Sequence, residues 1–167
     1  MKKVQLLELQ KYCGKYKIIS NSLSAYKGIC GVWVMYDNNN QLIEVAQTSN
    51  IFKELDYDLS WLMKDYSNES NVGKKHPPYT ARRLFDFNKK FDVLPNDRNR
   101  TTAKYRDIAE NSEKILVYLI DEERVKSKDK TMRKEIEIAI DNKVLYWNAF
   151  GRQRRLAKEY YNMRLAV

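Results

Sequence analysis

The sequence predicts an α+β domain in which a small central antiparallel sheet of about three strands is flanked by helices. Three observations carry this. Val32 to Tyr36 and Leu42 to Ala46 are apolar, strand-forming runs separated by the polar tetrapeptide Asp37-Asn38-Asn39-Asn40, which is the pattern of a hairpin. Ile115 to Ile120 is an unbroken apolar run of strand length. The stretches after the hairpin and after this third strand carry apolar residues among charges at helical intervals.

The elements follow in order. Val4, Leu6, Leu7 and Leu9 give residues 2–12 an approximately helical spacing, so a helix is expected there. Residues 21–27 are small and polar and read as a loop. Val32, Val34 and Tyr36 alternate with Trp33 and Met35, so the first hairpin strand is expected to be buried on both faces. Asparagine and aspartate tolerate left-handed backbone and bond to their own main chain, which makes 37–40 the turn. Ser49 or Asn50 can cap a helix reaching about Tyr66, with Ile51, Phe52, Leu55, Leu59 and Leu62 on one face. Gly73 and Pro77-Pro78 mark 67–78 as a loop. A helix is expected over 80–90, with Leu84 and Phe85 inward and Arg82, Arg83, Lys89 and Lys90 outward. Pro95-Asn96-Asp97 ends it, and 98–104 is expected to be mobile. A strand over 114–121, a helix over 131–141, a short apolar stretch at 144–147 and a final helix over 152–164 complete the chain, read as a single domain over 1–167.

The 167 residues carry a formal net charge of +9. The excess is uneven: residues 74–106 hold ten bases against three acids, and residues 149–167 hold five against one. Such concentrations favour a polyanionic partner, nucleic acid above all. Cys13 and Cys30 are the only cysteines and His76 the only histidine, too few to fill a four-ligand structural zinc site. Both cysteines read as reduced thiols, and a cytoplasmic location is expected. No run of about 18 apolar residues points to a membrane, and the N-terminus lacks the apolar stretch of a secretory leader.

Several short matches, in order, resemble the GIY-YIG nuclease superfamily. Gly31-Val32-Trp33 stands where that family has Gly-Ile-Tyr, and Glu44-Val45-Ala46 where it has Tyr-Ile-Gly. Gln47-Thr48-Ser49-Asn50 is similar to the polar start of its first helix. Glu135-Ile136-Glu137 lies on the later helix, where the family places a metal-binding glutamate, and Asn148 stands where it has an asparagine. The resemblance spans about 31–148, with a basic insertion over about 67–110 and a basic C-terminal helix over about 151–165.

The resemblance implies a division of labour. A metal stabilises charge on the phosphate, a tyrosine is the proposed base, and an arginine on the first helix supports the transition state. This sequence departs from it. The first tyrosine is Trp33, which is no base at neutral pH, and the second is Glu44. The arginine position falls at Lys53 or at Glu54, where the charge would be reversed. Glu137 is the expected metal ligand, with Glu135 as its competitor.

Three functional readings stay open. The leading one is a catalytically degenerate domain, with no cofactor, that binds nucleic acid or a nucleoprotein through Arg82, Arg83, Lys89, Lys90, Arg98, Arg100, Arg152, Arg154 and Arg155. The second is a Mg²⁺-dependent endonuclease with a rebuilt site: Glu137 on the metal, Glu44 or Tyr36 as base, Lys53 or Arg82 as cation, and Asn148 retained. The third is a phage or other mobile-element protein that inhibits a host restriction or CRISPR nucleoprotein through protein contacts. Each candidate also has a plainer role open to it: Trp33 and Tyr36 as core, Glu44 and Glu137 as solvated carboxylates, Asn148 as a helix cap and His76 as a loop residue.

Overall fold

The computed structural model describes residues 2–66, 97–120, 128–144, 146–147 and 151–166. The class is α+β, but the sheet has five strands rather than about three, all antiparallel, in the order β2-β1-β5-β3-β4. The strands are β1 (Lys3–Tyr12), β2 (Lys15–Asn21), β3 (Gly31–Tyr36), β4 (Leu42–Thr48) and β5 (Lys114–Ile120). Four α-helices accompany them among the described residues: α1 (Ile51–Leu62), α2 (Asp97–Asn111), α3 (Lys128–Asp141) and α4 (Gly151–Leu165). None of these helices is long and apolar enough to cross a membrane.

The two added strands correct the expected N-terminal helix. Residues 3–12 pair with both β2 and β5. Their pairing with β5 shifts register between Gln5 and Leu7, so Leu6 is an extra residue and both Leu6 and Leu7 are buried. That bulge breaks the period of two and imitates helical spacing. β2 lies at the sheet edge with only Tyr16 buried, so it carried no apolar pattern to read. Residues 21–27 hold a short 3-10 turn, Leu23–Tyr26, that buries Leu23. The segment expected to be mobile lies in α2. This helix buries Tyr105, Ile108 and Ala109, a stripe at i, i+3 and i+4.

The centre of the molecule is as expected. β3 is flanked by β5 and β4, and Val32, Trp33, Val34 and Met35 are buried on both of its faces. Removing each such side chain from water contributes about 1.5–3 kcal/mol. Asn50 caps α1 by accepting from Lys53 N–H at 3.2 Å, and it also accepts from Gly28 N–H at 3.1 Å. One side chain therefore fixes both the start of α1 and the approach to β3. The expected helix over 80–90, with Arg82, Arg83, Lys89 and Lys90, lies outside the described residues, as do His76 and Asn148.

Candidate functional site

Strand register decides which candidates meet. Trp33 pairs with Ala46 and Met35 with Glu44, so these four side chains share one face of the sheet. Tyr36 pairs with Leu42 and Leu116 and projects from the other face. There its ring meets Tyr118 edge-on at 5.8 Å, with Lys3 Nζ 4.7 Å from its centroid. Alternation thus separates Tyr36 from Glu44, and the two do not form one site.

On the Trp33 face, α1, α2 and α3 contribute charged groups to a buried pocket. Glu44 is 3 % exposed, and its Oε2 lies 2.8 Å from Lys104 Nζ on α2. Its Oε1 accepts from Val45 N–H at 3.0 Å. Trp33 Nε1 donates to Glu54 Oε2 at 2.7 Å. On α3, Glu135 accepts from Trp147 Nε1 at 3.3 Å and from the side-chain amide of Gln153 on α4. The Trp147 segment is held in place by Tyr146, whose N–H donates to the Ile43 carbonyl at 2.9 Å and whose hydroxyl donates to Asp107 Oδ2 at 2.8 Å.

Burial dominates the electrostatics. It pushes the Glu54 carboxyl up to about 7, against the pull of the Trp33 hydrogen bond. It pushes Glu135 up to about 8, with Glu44 and Glu54 adding repulsion to the opposing indole and amide bonds. Burial also raises Glu44 and Asp58, and Lys104 opposes the shift in both. Lys104 is therefore the common counter-charge of Glu44, Glu54 and Asp58. Tyr105, one residue on, is raised by burial and then by Asp58 and Glu44, so its phenol stays protonated.

Lys53 and Glu137 stand apart from this pocket. Lys53 is exposed, and it is Glu54 of that pair that turns inward. Glu137 is exposed, whereas Glu135 is buried in the pocket. The two are rotated about 200° from each other on α3, which puts the expected metal ligand on the wrong side of its helix. Arg98 and Arg100 fall on the first turn of α2. On α4, Arg152 and Arg155 are exposed and Arg154 is half-buried.

Sequence reasoning missed Lys104, Asp58, Trp147 and Gln153. A signal existed for Glu135. Thr131, Glu135 and Ala139 recur every fourth residue and are all buried, while Arg133, Glu137 and Asp141 recur likewise and are all exposed.

The residues present do not fit a catalytic divalent cation. A metal-binding carboxylate has to be deprotonated and open on one side. Here an ammonium covers Glu44, an indole covers Glu54, and an indole and an amide cover Glu135. Among the described residues, no three His, Cys, Asp or Glu side chains are grouped to hold a metal. What the arrangement does chemically is tie α2 to β4 through the Glu44–Lys104 ion pair, α1 to β3 through Trp33–Glu54, and α3 to α4 through Glu135 and Gln153.

Comparison with protein-family models, with curated proteins and with solved structures finds no match to this chain.

Proposed function

We propose that this chain is a binding domain of GIY-YIG type that has kept a nuclease frame without its chemistry, and that it engages nucleic acid, or a nucleic-acid–protein complex, through basic surfaces. One observation carries the non-cutting part: the pocket formed by the positions of the family's catalytic side chains is filled by the Trp33–Glu54 hydrogen bond and the Glu44–Lys104 ion pair. Phosphodiester hydrolysis needs an open metal position and a group able to accept a proton from water. An indole and a buried, ion-paired carboxylate supply neither.

The binding part is supported by the net charge of +9 and by its concentration in residues 74–106 and in the C-terminal helix. Lysine and arginine on helices contact phosphates without reading bases, so the partner class is set by charge rather than by sequence.

Fluorescence-anisotropy titrations with single-stranded DNA, RNA and duplex DNA at graded salt test this reading. The expected result is an affinity whose logarithm falls linearly with the logarithm of salt concentration, with no cleavage in Mg²⁺ or Mn²⁺. Absence of salt-dependent binding overturns the binding part. Cleavage that is abolished by Glu135→Ala overturns the non-cutting part.

A further inference from the structure

The two faces of the sheet are finished differently. On the Trp33 face, Leu7, Leu9, Ile115 and Val117 are each 1 % exposed or less. Alternation turns their neighbours Gln5, Glu8, Gln10, Leu116 and Tyr118 to the opposite face, and none of these is buried. On that same opposite face Val32, Val34 and Val45 are buried. The part open to water is therefore its β2–β1–β5 half, with half-buried Tyr36 of β3 at the border.

Three tyrosines stand on this open half. Tyr36 and Tyr118 are diagonal neighbours across β3 and β5, edge-on at 5.8 Å. Tyr12, 45 % exposed, follows Gln10 along β1. From Gln5, which pairs with Tyr118, to Tyr12 is roughly 20 Å of strand. Lysines lie over the rings: Lys3 Nζ is 4.7 Å from the Tyr36 centroid and 5.0 Å from that of Tyr118, and Lys17 Nζ is 5.3 Å from that of Tyr12. Lys114 pairs with Gln10 and lies between the two groups. Among the described residues, none of these three lysines is in an ion pair. Lys15, opposite Tyr12, is held by Asp65 at 3.5 Å and adds no net charge. Glu8 is the one acid among the paired residues of this half.

We infer that the open half of the sheet binds single-stranded nucleic acid along β1, with bases stacked on Tyr118, Tyr36 and Tyr12 and phosphates on Lys3, Lys17 and Lys114. The inference rests on the proposed function and names the place and form of its ligand. Three lysines against one glutamate select an anionic partner. The rings select one with flat faces, because an aromatic side chain on an open sheet stacks on any base. An acidic peptide or inorganic phosphate brings no such face, and a duplex keeps its bases stacked inside. Lys3 now occupies the ring faces. Its side chain is long and exposed, so it can exchange the rings for a phosphate as a base takes its place. The 20 Å track suits a strand of about four nucleotides, the lower end of the site sizes of small single-strand binders.

The test compares a fluorescein-labelled oligothymidylate of about eight nucleotides with an abasic strand of the same length. The parent protein should bind the thymidylate about tenfold or more tightly than the abasic strand. Tyr12→Leu/Tyr118→Leu keeps apolar bulk, is checked for folding by circular dichroism, and should lose most of that preference. Lys3→Gln/Lys114→Gln should keep the preference and make the log–log salt slope shallower by about 1.4 for two lost contacts. A second readout needs no substitution: photo-cross-linking to a strand carrying 5-iodouracil, mapped by mass spectrometry, should place adducts on Tyr12, Tyr36 or Tyr118. Equal affinity of the parent for the abasic strand, or adducts confined to other residues, overturns the inference, and the proposed function stands if binding keeps its salt dependence. Polyglutamate binding as tightly as the thymidylate also overturns it. If no strand binds at low salt, both fall.

Discussion

The two ends of α1 treat charge in opposite ways. Near its N-terminus, Glu54 and Asp58 turn inward, join Glu44 and share Lys104. Beyond its C-terminus, Lys64 joins Lys11, Lys15 and Arg106 around an open cleft. The separation from Glu54 to Leu62 is roughly 12 Å along the helix axis. In the pocket, three buried or half-buried carboxyls lie around one ammonium, with Glu44 in direct contact with it. At the cleft, Lys15 pairs with Asp65 and Arg106 with Glu110, while Lys11, Lys64 and Arg106 lie over aromatic rings. Both regions pair opposite charges, and what separates them is burial: Glu44 and Asp58 are shut away from water, whereas the Lys15–Asp65 pair lies open to it.

The largest expected effect breaks the pocket. Lys104→Met strands Glu44, Glu54 and Asp58 without their counter-charge, and urea unfolding should show a loss of about 3–5 kcal/mol. Adding Glu44→Gln should recover part of it. A neutral Lys104→Met would mean the pocket does not depend on that ion pair and would erase the contrast with the cleft.

Next comes pH. A carboxyl whose pKa is higher in the folded chain binds its proton more tightly when folded, so its contribution is full below the ordinary value and is lost as pH rises through the folded one. For Glu54 that window runs from 4.5 to about 7, and for Glu135 from 4.5 to about 8. Denaturation between about pH 5 and pH 9 should therefore show stability falling as pH rises, by an amount on the order of a few kcal/mol. A flat or rising profile would place these carboxylates in water.

A smaller effect concerns the indole. Trp33→Phe removes the indole N–H from Glu54 and should cost about 1–3 kcal/mol, less when combined with Glu54→Gln. On the proposed GIY-YIG reading, Trp33→Tyr/Glu44→Tyr should yield no Mg²⁺-dependent cleavage, because Glu54 still stands inward beside these positions. Cleavage by that variant in a supercoiled-plasmid assay would show that the metal position had survived. The smallest effect lies on α4, where Arg155→Glu should weaken duplex binding roughly two- to fivefold, about one phosphate contact.

Much of the centre was legible from residue order alone. β3, β4, β5 and the start of α1 rest on local signals: alternation, an Asp-Asn turn, an unbroken apolar run and the Asn50 cap. Those signals survive because no bulge interrupts β3 and β5 where they pair, and because α1 presents a single apolar stripe. β1 was not legible, because its bulge at Leu6 exists only relative to β5, more than a hundred residues away. β2 was not legible because an edge strand has little to bury. The choice of Glu135 over Glu137 needed the buried and exposed rows of α3 to be told apart, and the charges on both rows obscured them.

By itself the sequence determined the class of fold, the central hairpin and the basic character, since each depends on residue type and short-range spacing. Only the tertiary structure decided that Tyr36 and Glu44 face opposite ways, that Lys104 pairs with Glu44, and that four cations line a cleft. Register, helix rotation and burial bring those groups together or keep them apart, and all three are set by contacts between segments distant along the chain.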